Sequence, residues 1–233
     1  LELSRSQTGT TITVYWQVIS ITGASVQRGL ATIAPGAASA TATITSVNTA
    51  TSFLVFTQRA AAVSNGVESE YMVRGRITTA TQLTFDRIST ANSVDIAWQV
   101  ISLSDGSSVQ SGNIAVGALA VSATATLTSV NLTRSTSFIS VRGAGAGEAD
   151  ELGSLSFTHS LTNPTTLTVT HGATGVEDVA WFVVQFAANQ PPVLDSIGPK
   201  SVAEGSNLTF RIHATDPDAT IPALTAANVP LNA

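Results

Sequence analysis

Histidine is the side chain best suited to proton transfer near neutral pH, and the chain has three, at His159, His171 and His213. In the sequence repeats described below, His171 aligns with Arg5 and Arg87, so a base is not retained at this position. His159 belongs to a neighbouring predicted strand and could approach His171. No acidic residue recurs beside these histidines, so no set of nucleophile, base and orienting group is assembled.

Paired carboxylates are the groups that hydrolyse glycosidic bonds, and Asp86 and Asp95 are the candidates within the repeats. Asp86 aligns with Ser4 and Thr170, and Asp95 aligns with Thr13. We do not expect an acid required for catalysis to be lost from sibling units, so we interpret both as surface residues. The sequence therefore predicts no catalytic residues, and the chain is not expected to be an enzyme.

The string GAGAG at 143–147 has the composition of a phosphate-binding loop. Such loops bind phosphate at the amino end of a helix that follows a strand. Here the surrounding residues favour strands, and the first repeat has an equally small stretch, RAAAVSNG, in the same place. We therefore predict a connecting loop and no cofactor-binding residues.

Composition excludes several classes of function. Hydrophobic residues make up 43% of the 233 residues, charged residues only 11%, and the formal net charge is −5. Lys200 is the only lysine and no basic patch is visible, so nucleic acid is not an expected partner. The lack of cysteine excludes thiol catalysis, zinc–thiolate sites and disulfides. No apolar run reaches the ~18 residues that a membrane-spanning helix needs, so no membrane span is predicted.

The strongest pattern is an internal repeat. Trp16, Trp98 and Trp181 follow one another at intervals of 82 and 83 residues. Further segments match in the same order: SVQRG with SVQSG, SATATITSVN with SATATLTSVN, and, after a two-residue insertion, the SF at 52–53 with the SF at 137–138. Chance does not give this order and spacing twice, so the chain is built from related units.

Each unit contains alternating segments separated by turns rich in Gly, Asn, Ser and Pro. Strands at roughly ten-residue spacing, with no helical stretch, are typical of a sandwich. One face of the tryptophan strand is apolar: Val94, Ile96, Trp98 and Val100. A period of two places this face, and the tryptophan with it, in the core. We therefore predict an all-β chain of tandem Ig-like antiparallel β-sandwich domains.

The third copy is partial, and its tryptophan strand is apolar on both faces, which predicts burial on both sides. We expect its hairpin at 167–186 to complete the domain formed by residues 103–161. Residues 1–20 repeat this segment, and either belong with residues before Leu1 or form the first hairpin of the first repeat. The expected domains are a first sandwich repeat at 1–77, a second repeat with the partial third-repeat hairpin at 78–186, a linker at 187–195 and a truncated module at 196–233.

The segment PPVLDSIGPKSVAEGSNLTFRIHATDPDA resembles the beginning of bacterial extracellular Ig-like and cadherin-like modules. The shared pattern is close to PPVLxxIGxKSVxEGxxLTFxxxATDPD, while the repeats before it carry no such resemblance. Only the first part of such a module is present, which is why we expect a truncated module. The resemblance implies a large, secreted surface protein made of tandem domains.

The resemblance also implies a candidate metal site. In many relatives the acids at the AEG and DPD positions bind calcium, and here these are Glu204, Asp216 and Asp218. Calcium prefers six to eight oxygen ligands. The chain departs from the family at Ala219 and Thr220, where Gly-Asp usually follows DPD. No cofactor other than calcium is expected.

Two threonine rows form the most distinctive predicted surface. Alternation with alanine or another apolar residue gives each row: Thr41, Thr43 and Thr45, then Thr124, Thr126 and Thr128. We expect the alanines to face inward and the threonines outward, either to solvent or as a flat contact surface for a neighbouring subunit, a glycan or ice. Low charge leaves strand edges poorly protected against pairing, which favours strand donation between subunits.

These features predict a structural repeat subunit of an extracellular bacterial surface assembly, such as a filament, a sheath or an adhesin stalk, that self-assembles with identical subunits. The alternative is a carbohydrate- or surface-binding module of a larger secreted protein. That alternative predicts a row of exposed aromatic side chains. The chain has three tryptophans and two tyrosines, and the tryptophans are predicted in the core.

Overall fold

The segments rich in valine, isoleucine and threonine fold as antiparallel strands in the computed structural model. The structure describes residues 18–21, 23–60, 72–88, 90–143, 155–217 and 225. The chain divides into two units, Leu1–Ala187 and Ala188–Ala233. The prediction of an all-β chain with sandwich-type domains is confirmed. Within the described residues, no helix is long and apolar enough to cross a membrane.

The first sandwich consists of two three-stranded antiparallel sheets. Its strands are β1 (Ala24–Ile33), β2 (Ser39–Thr43), β3 (Ser52–Ala60), β4 (Arg74–Thr79), β5 (Gln82–Asp86) and β6 (Val94–Leu103). One sheet has the order β1-β6-β3 and the other β2-β5-β4. Apolar side chains from both sheets form one core, with Ile33, Leu83 and Ile96 fully buried.

The second sandwich repeats this arrangement. Its strands are β7 (Ser108–Val116), β8 (Ser122–Thr126), β9 (Ser135–Gly143), β10 (Phe157–Asn163), β11 (Thr166–His171) and β12 (Glu177–Gln185). The sheets have the orders β7-β12-β9 and β8-β11-β10. A short 3-10 helix, Leu132–Arg134, precedes β9, and Asn131 Oδ1 caps it by accepting from Thr133 N at 3.0 Å.

The tryptophan strands β6 and β12 are the central strands of their sheets, and both tryptophans are buried. In the ladders, Trp98 lies opposite Gly29, and Trp181 lies opposite Gly112. A Cβ added to Gly29 would lie 2.5 Å from Trp98 Cζ2, and one added to Gly112 would lie 2.7 Å from Trp181 Cζ2. The indole therefore occupies the space of the missing side chain, which explains why glycine recurs in both repeats. The prediction that the tryptophans are core anchors is confirmed for Trp98 and Trp181, and Trp16 lies outside the described residues.

A glutamine clamp, Gln27 in β1 and Gln110 in β7, also recurs. Gln27 Nε2 donates to Thr45 O at 2.9 Å, and its Oε1 accepts from Thr45 N at 2.7 Å. Gln110 makes the same two bonds with Thr128, at 2.8 and 2.7 Å. The amide side chain thus ties one sheet to the segment that follows the first strand of the other.

The strand pairing disagrees with the predicted domain boundary. β5 pairs with β2 and β4, and β6 pairs with β1 and β3. The boundary expected between residues 77 and 78 therefore falls inside the first sandwich and is wrong, because the tryptophan strand closes each unit. The corresponding strands β11 and β12 do complete the second sandwich, but they lie in different sheets and form no hairpin.

Ladder register also corrects the alignment of the repeats. Ser102 of β6 pairs with Ser52, and Gln185 of β12 pairs with Ser135. Since Ser102 and Gln185 are 83 residues apart, as Trp98 and Trp181 are, Ser52 corresponds to Ser135. The two-residue insertion placed before the SF at 137–138 is therefore wrong.

In the second unit, β13 (Val193–Leu194) pairs with β14 (Ala214–Thr215). Beside this pair, His213 Nδ1 lies 2.9 Å from Asp195 Oδ2. Several apolar side chains of the unit remain substantially exposed: Val193, Leu194, Ile197, Val202, Leu208, Phe210 and Ile212. The linker at 187–195 and the truncated module at 196–233 stay predictions.

Candidate functional site: the contact between the sandwiches

The outer face of the β7-β12-β9 sheet packs against the first sandwich. Phe182 and Val184 of β12 are 5% and 0% exposed and belong to the core cluster of the first sandwich. Phe138 of β9 stacks on Phe53 of β3, with ring centroids 5.2 Å apart and an interplanar angle of 10°. The two apolar faces of β12 are thereby explained, because one faces its own core and the other faces the neighbouring sandwich.

An ion cluster joins the two sandwiches beside this apolar contact. Within the first sandwich, Arg74 donates to both carboxylate oxygens of Asp86, at 3.0 and 2.8 Å, and Arg76 donates to Asp86 at 2.8 Å. Within the second, Arg142 Nη2 lies 2.8 Å from Asp178 Oδ2. Arg74 Nη1 approaches Asp178 at 3.3 Å, and Arg142 Nη1 approaches Asp86 at 3.5 Å. Three guanidinium groups and two carboxylates therefore share one partly dry site.

Electrostatics in the cluster favours the charged forms. Burial alone would raise the pKa of Asp86, but the hydrogen bonds from Arg74 and the charges of Arg74, Arg142 and Arg76 outweigh it and lower the pKa below its ordinary value. Burial likewise opposes the charge of Arg74, and Asp86 and Asp178 outweigh it, so the pKa of Arg74 is raised. The Arg74–Asp86 pair is thus stabilised in its charged form, which suits a structural contact better than proton transfer.

A backbone contact completes the interface. β4 is an edge strand, and Gly75 N donates to Ser140 Oγ of the second sandwich at 3.0 Å. Ser140 Oγ also lies 3.4 Å from Gly75 O. A serine hydroxyl thus caps backbone groups that an edge strand leaves without a ladder partner.

The interpretation of Asp86 as a surface residue is wrong. Its side chain is buried in the ion cluster, whereas Asp95 is a surface residue as predicted, paired with Arg59 at 2.8 Å. Comparison of the repeats gave the wrong answer because equivalent strands have different neighbours in the two sandwiches. The signal that could have located the cluster is Arg74, which lies directly opposite Asp86 in the β4–β5 ladder.

His171 is buried and has a structural position. Its Nε2 lies 3.0 Å from Ala120 O, its ring stacks on Phe157 at 4.6 Å, and its Nδ1 lies 3.8 Å from Glu177 Oε2. In the first sandwich, Arg87 binds the equivalent turn through its Nη2, 3.2 Å from Ala34 O. Both side chains therefore hold the turn that follows the first strand of their sandwich.

His159 lies in β10, which pairs with β11, the strand that carries His171. It is opposite Val169, and its Nδ1 lies 2.8 Å from Ser137 Oγ. Desolvation lowers the pKa of His159 below its ordinary value. The partner found for His159 is thus Ser137, while His171 stacks on Phe157 and contacts Ala120 O.

A cleft of about 600 Å³ lies between the two sandwiches. Phe56, Met72, Val73, Phe138 and Phe182 are among its apolar lining residues. The described side chains that line it include no acid, histidine or arginine. Its lining does include the hydroxyl groups of Ser140 and Ser156, but no histidine or acid among these described lining residues could activate them as nucleophiles. In the GAGAG string at 143–147, Gly143 is the last residue of β9, and residues 144–147 lie outside the described residues.

The calcium prediction remains a prediction. Glu204 and Asp216 lie in the second unit, and Asp218 is outside the described residues. Within the part of the chain that the structure describes, no three His, Asp or Glu side chains gather as a metal site.

The predicted orientation of the threonine rows is confirmed in β2 and β8. Ser and Thr side chains of both SATAT strands are exposed, and the alanines between them are half-buried. Hydroxyl pairs extend each row across the sheet, with Thr78 Oγ1 3.0 Å from Thr84 Oγ1 and Thr162 Oγ1 3.1 Å from Thr168 Oγ1. The rows thus form ordered hydroxyl surfaces on the outer faces of the β2-β5-β4 and β8-β11-β10 sheets.

No family model, no curated protein and no solved structure matches the chain. Its function is therefore argued from its own residues.

Proposed function

We propose that the chain is a structural tandem-repeat element of an extracellular bacterial surface assembly, such as a filament, a sheath or an adhesin stalk. The observation that carries this proposal is the contact between the sandwiches, in which an apolar strand face and a buried ion cluster meet. Binding modules that move independently do not need such a contact, whereas an array that holds its domains in a fixed relative orientation does. The resemblance of the C-terminal segment to secreted surface modules supports the extracellular location and the bacterial source.

The contact is chemically suited to fixing orientation. Stacked rings and apolar side chains supply burial, while paired guanidinium and carboxylate groups tolerate only one arrangement, since a misplaced charge would stay buried without its partner. Phe53–Phe138, Arg74–Asp178 and Gly75–Ser140 lie at separate points along the interface. Three separated contacts restrict rotation of one sandwich against the other.

Electron microscopy of the native material tests this proposal. We expect ordered filaments or sheets whose repeat is built from the two-sandwich unit. Monodisperse molecules that bind a glycan would overturn the proposal in favour of the alternative function. Calcium binding to Glu204, Asp216 and Asp218 is part of the same proposal, and titration of the full chain with calcium measures it independently.

A second candidate function is a carbohydrate- or surface-binding module of a larger secreted protein. The ordered hydroxyl rows around Thr84 and Thr168 favour it, because a flat row of donors and acceptors can bind a polymer surface. Glycan-array binding by the full chain tests this candidate. Thr41→Val and Thr43→Val should abolish such binding, while Thr8→Val, which lies outside these rows in sequence, should not change it.

A further inference from the structure

The first sandwich has an exposed counterpart of the interface described above. The outer face of its β1-β6-β3 sheet is equivalent, at an offset of 83 residues, to the covered face of β7-β12-β9. We call it the upstream face and define it by Val26, Leu30, Thr57, Arg59, Asp95, Ala97, Gln99 and Ile101. Its members are exposed or half-buried, whereas the equivalent Val109, Ala180, Phe182 and Val184 are buried by the neighbouring sandwich.

Both polar anchors of the internal interface recur on the upstream face. Arg59 and Asp95 form an ion pair at 2.8 Å, as Arg142 and Asp178 do at 2.8 Å. Thr57 occupies the place of Ser140 and retains a hydroxyl group. In the second sandwich these groups meet Arg74, Asp86 and Gly75 of the preceding sandwich, while on the upstream face they point to solvent.

Apolar side chains on the upstream face also match what a preceding sandwich would present. Val26 is 43% exposed, while its counterpart Val109 is 6% exposed. Leu30 is 81% exposed, and its counterpart Asn113, which shares a small hollow with Ile77 of the first sandwich, remains exposed as well. A preceding unit of the same kind would therefore bring an isoleucine beside Leu30.

A glycine with positive φ precedes the first strand of each sandwich, before β1 and before β7. Gly23 and Gly106 each lie two residues before the SVQ motif, and both have positive φ, at 73° and 89°. Gly23 O accepts a hydrogen bond from Ser104 N at 2.8 Å, which links the segment before β1 to the segment before β7. Residues 1–20 match residues 83–102 in sequence, so a tryptophan-strand sequence precedes both turns. In this stretch Val18 and Ile19 are each 76% exposed, whereas Val100 is buried.

From these relations we infer that the upstream face receives another sandwich of this repeat, joined to it through residues 18–23. The incoming sandwich docks with the edge that corresponds to β4, so that its guanidinium and carboxylate groups complete the Arg59–Asp95 pair. Because the two surfaces in this contact differ, each added sandwich presents a further upstream face, and repetition along one chain extends a series of sandwiches. The inference rests on the proposed structural function and names the surface through which the array grows.

Hydroxyl-radical footprinting tests the inference. Residues 1–20 of the full chain are replaced by a copy of residues 24–102, which supplies a complete preceding sandwich with its Arg74 and Asp86. The copy carries Val26→Ala, so mass spectrometry reports Val26 of the receiving sandwich alone. We expect oxidation of that Val26 to fall about threefold or more relative to the unextended chain, because its counterpart Val109 is buried at the internal interface and interface cores exclude water. Oxidation of Leu119, which is 92% exposed on a turn of the second sandwich, should not change.

A blocking variant shows whether the face itself is responsible. Gln99→Arg in the receiving sandwich, at the position equivalent to Phe182, should restore Val26 oxidation in the extended chain. Thr41→Arg, on the opposite sheet, should leave the protection intact. If circular dichroism shows that the added copy does not fold, a longer copy, residues 18–102, which keeps Arg74 and Asp86, replaces it and the same comparison is made.

Equal oxidation of Val26 in both chains, with the added sandwich folded, would overturn the inference. Protection that grows with the concentration of the unextended chain would also overturn it, since the occupant would then be a second molecule. Neither result decides the proposed function, because ordered native material in the microscope would still support an assembly built through a different surface.

Discussion

Arg74 of the first sandwich and Asp178 of the second approach to 3.3 Å, across a boundary between two repeats. Each is already bound within its own sandwich, Arg74 to Asp86 and Asp178 to Arg142. The pairs interlock, so the two sandwiches share one electrostatic site. This arrangement makes the junction part of the folded structure, and its strength can be measured by mutation.

Asp86→Ala should destabilise the protein by about 3–5 kcal/mol, because it leaves the buried Arg74 without its main counter-charge. Urea denaturation followed by circular dichroism measures the change. Asp95→Ala is the matched control, since its pair with Arg59 is exposed and should contribute no more than about 1 kcal/mol. Equal effects of the two substitutions would contradict the assignment of Asp86 to a dry interface.

The free energy of unfolding should also decrease in acid because Asp86 becomes protonated. The pKa of Asp86 is lower in the folded state than the ordinary value of about 3.9 that it has when unfolded. Its contribution is therefore fully present above about pH 4 and is lost as pH falls through the lower, folded pKa. Asp95 and Asp105 also have lowered pKa values, so their protonation also reduces the stability at low pH.

We expect the urea midpoint of the wild-type chain to decline below about pH 4. In Asp86→Asn the decline should be shallower, because this buried carboxyl group with a lowered pKa no longer titrates. An identical pH profile for the two proteins would show that Asp86 does not couple protonation to folding.

Phe182→Ala should cost about 3–5 kcal/mol, since the ring is buried between the sandwiches. Its counterpart Gln99 is exposed on the upstream face, and Gln99→Ala should change stability by no more than about 0.5 kcal/mol. Thermal unfolding of the two variants compares them directly. Small effects from both would mean that the outer face of β12 is not covered in solution.

Gly29→Ala should destabilise the first sandwich by about 1–3 kcal/mol, because the new Cβ would lie 2.5 Å from the Trp98 ring. Gly112→Ala should do the same to the second sandwich through Trp181. Gly117→Ala is the control, since a Cβ there meets no atom within 4 Å. Tryptophan fluorescence during urea denaturation follows each change, and a harmless Gly29→Ala would contradict the packing of glycine against indole.

Much of the fold follows from local pattern. The period of two around Trp98 placed the correct side chains in the core, and the two apolar faces of the Trp181 strand indicated burial on both sides. The repeat could not show which strands share a sheet, because pairing depends on contacts distant in sequence. The predicted boundary between residues 77 and 78 therefore cuts through β4 and assigns β5 to the next domain, although β4 and β5 are adjacent in one sheet.

The candidate site was harder to predict for a physical reason. Asp86 and Thr170 occupy equivalent positions, yet only Asp86 faces a neighbouring sandwich. Comparison of sibling repeats assumes equal surroundings, and a tandem contact gives successive units different ones. The same relation explains why Arg59–Asp95 and Arg142–Asp178 are alike in sequence and geometry but differ in exposure.

A double-mutant cycle between Phe53 and Phe138 tests the central claim that the two sandwiches form one structural unit. The rings stack across the junction at 5.2 Å, so Phe53→Leu, Phe138→Leu and the double variant should show a coupling free energy of about 0.5–1.5 kcal/mol in urea denaturation. Additive effects, with no coupling beyond experimental error, would contradict the account, because the rings would then belong to sandwiches that do not hold each other.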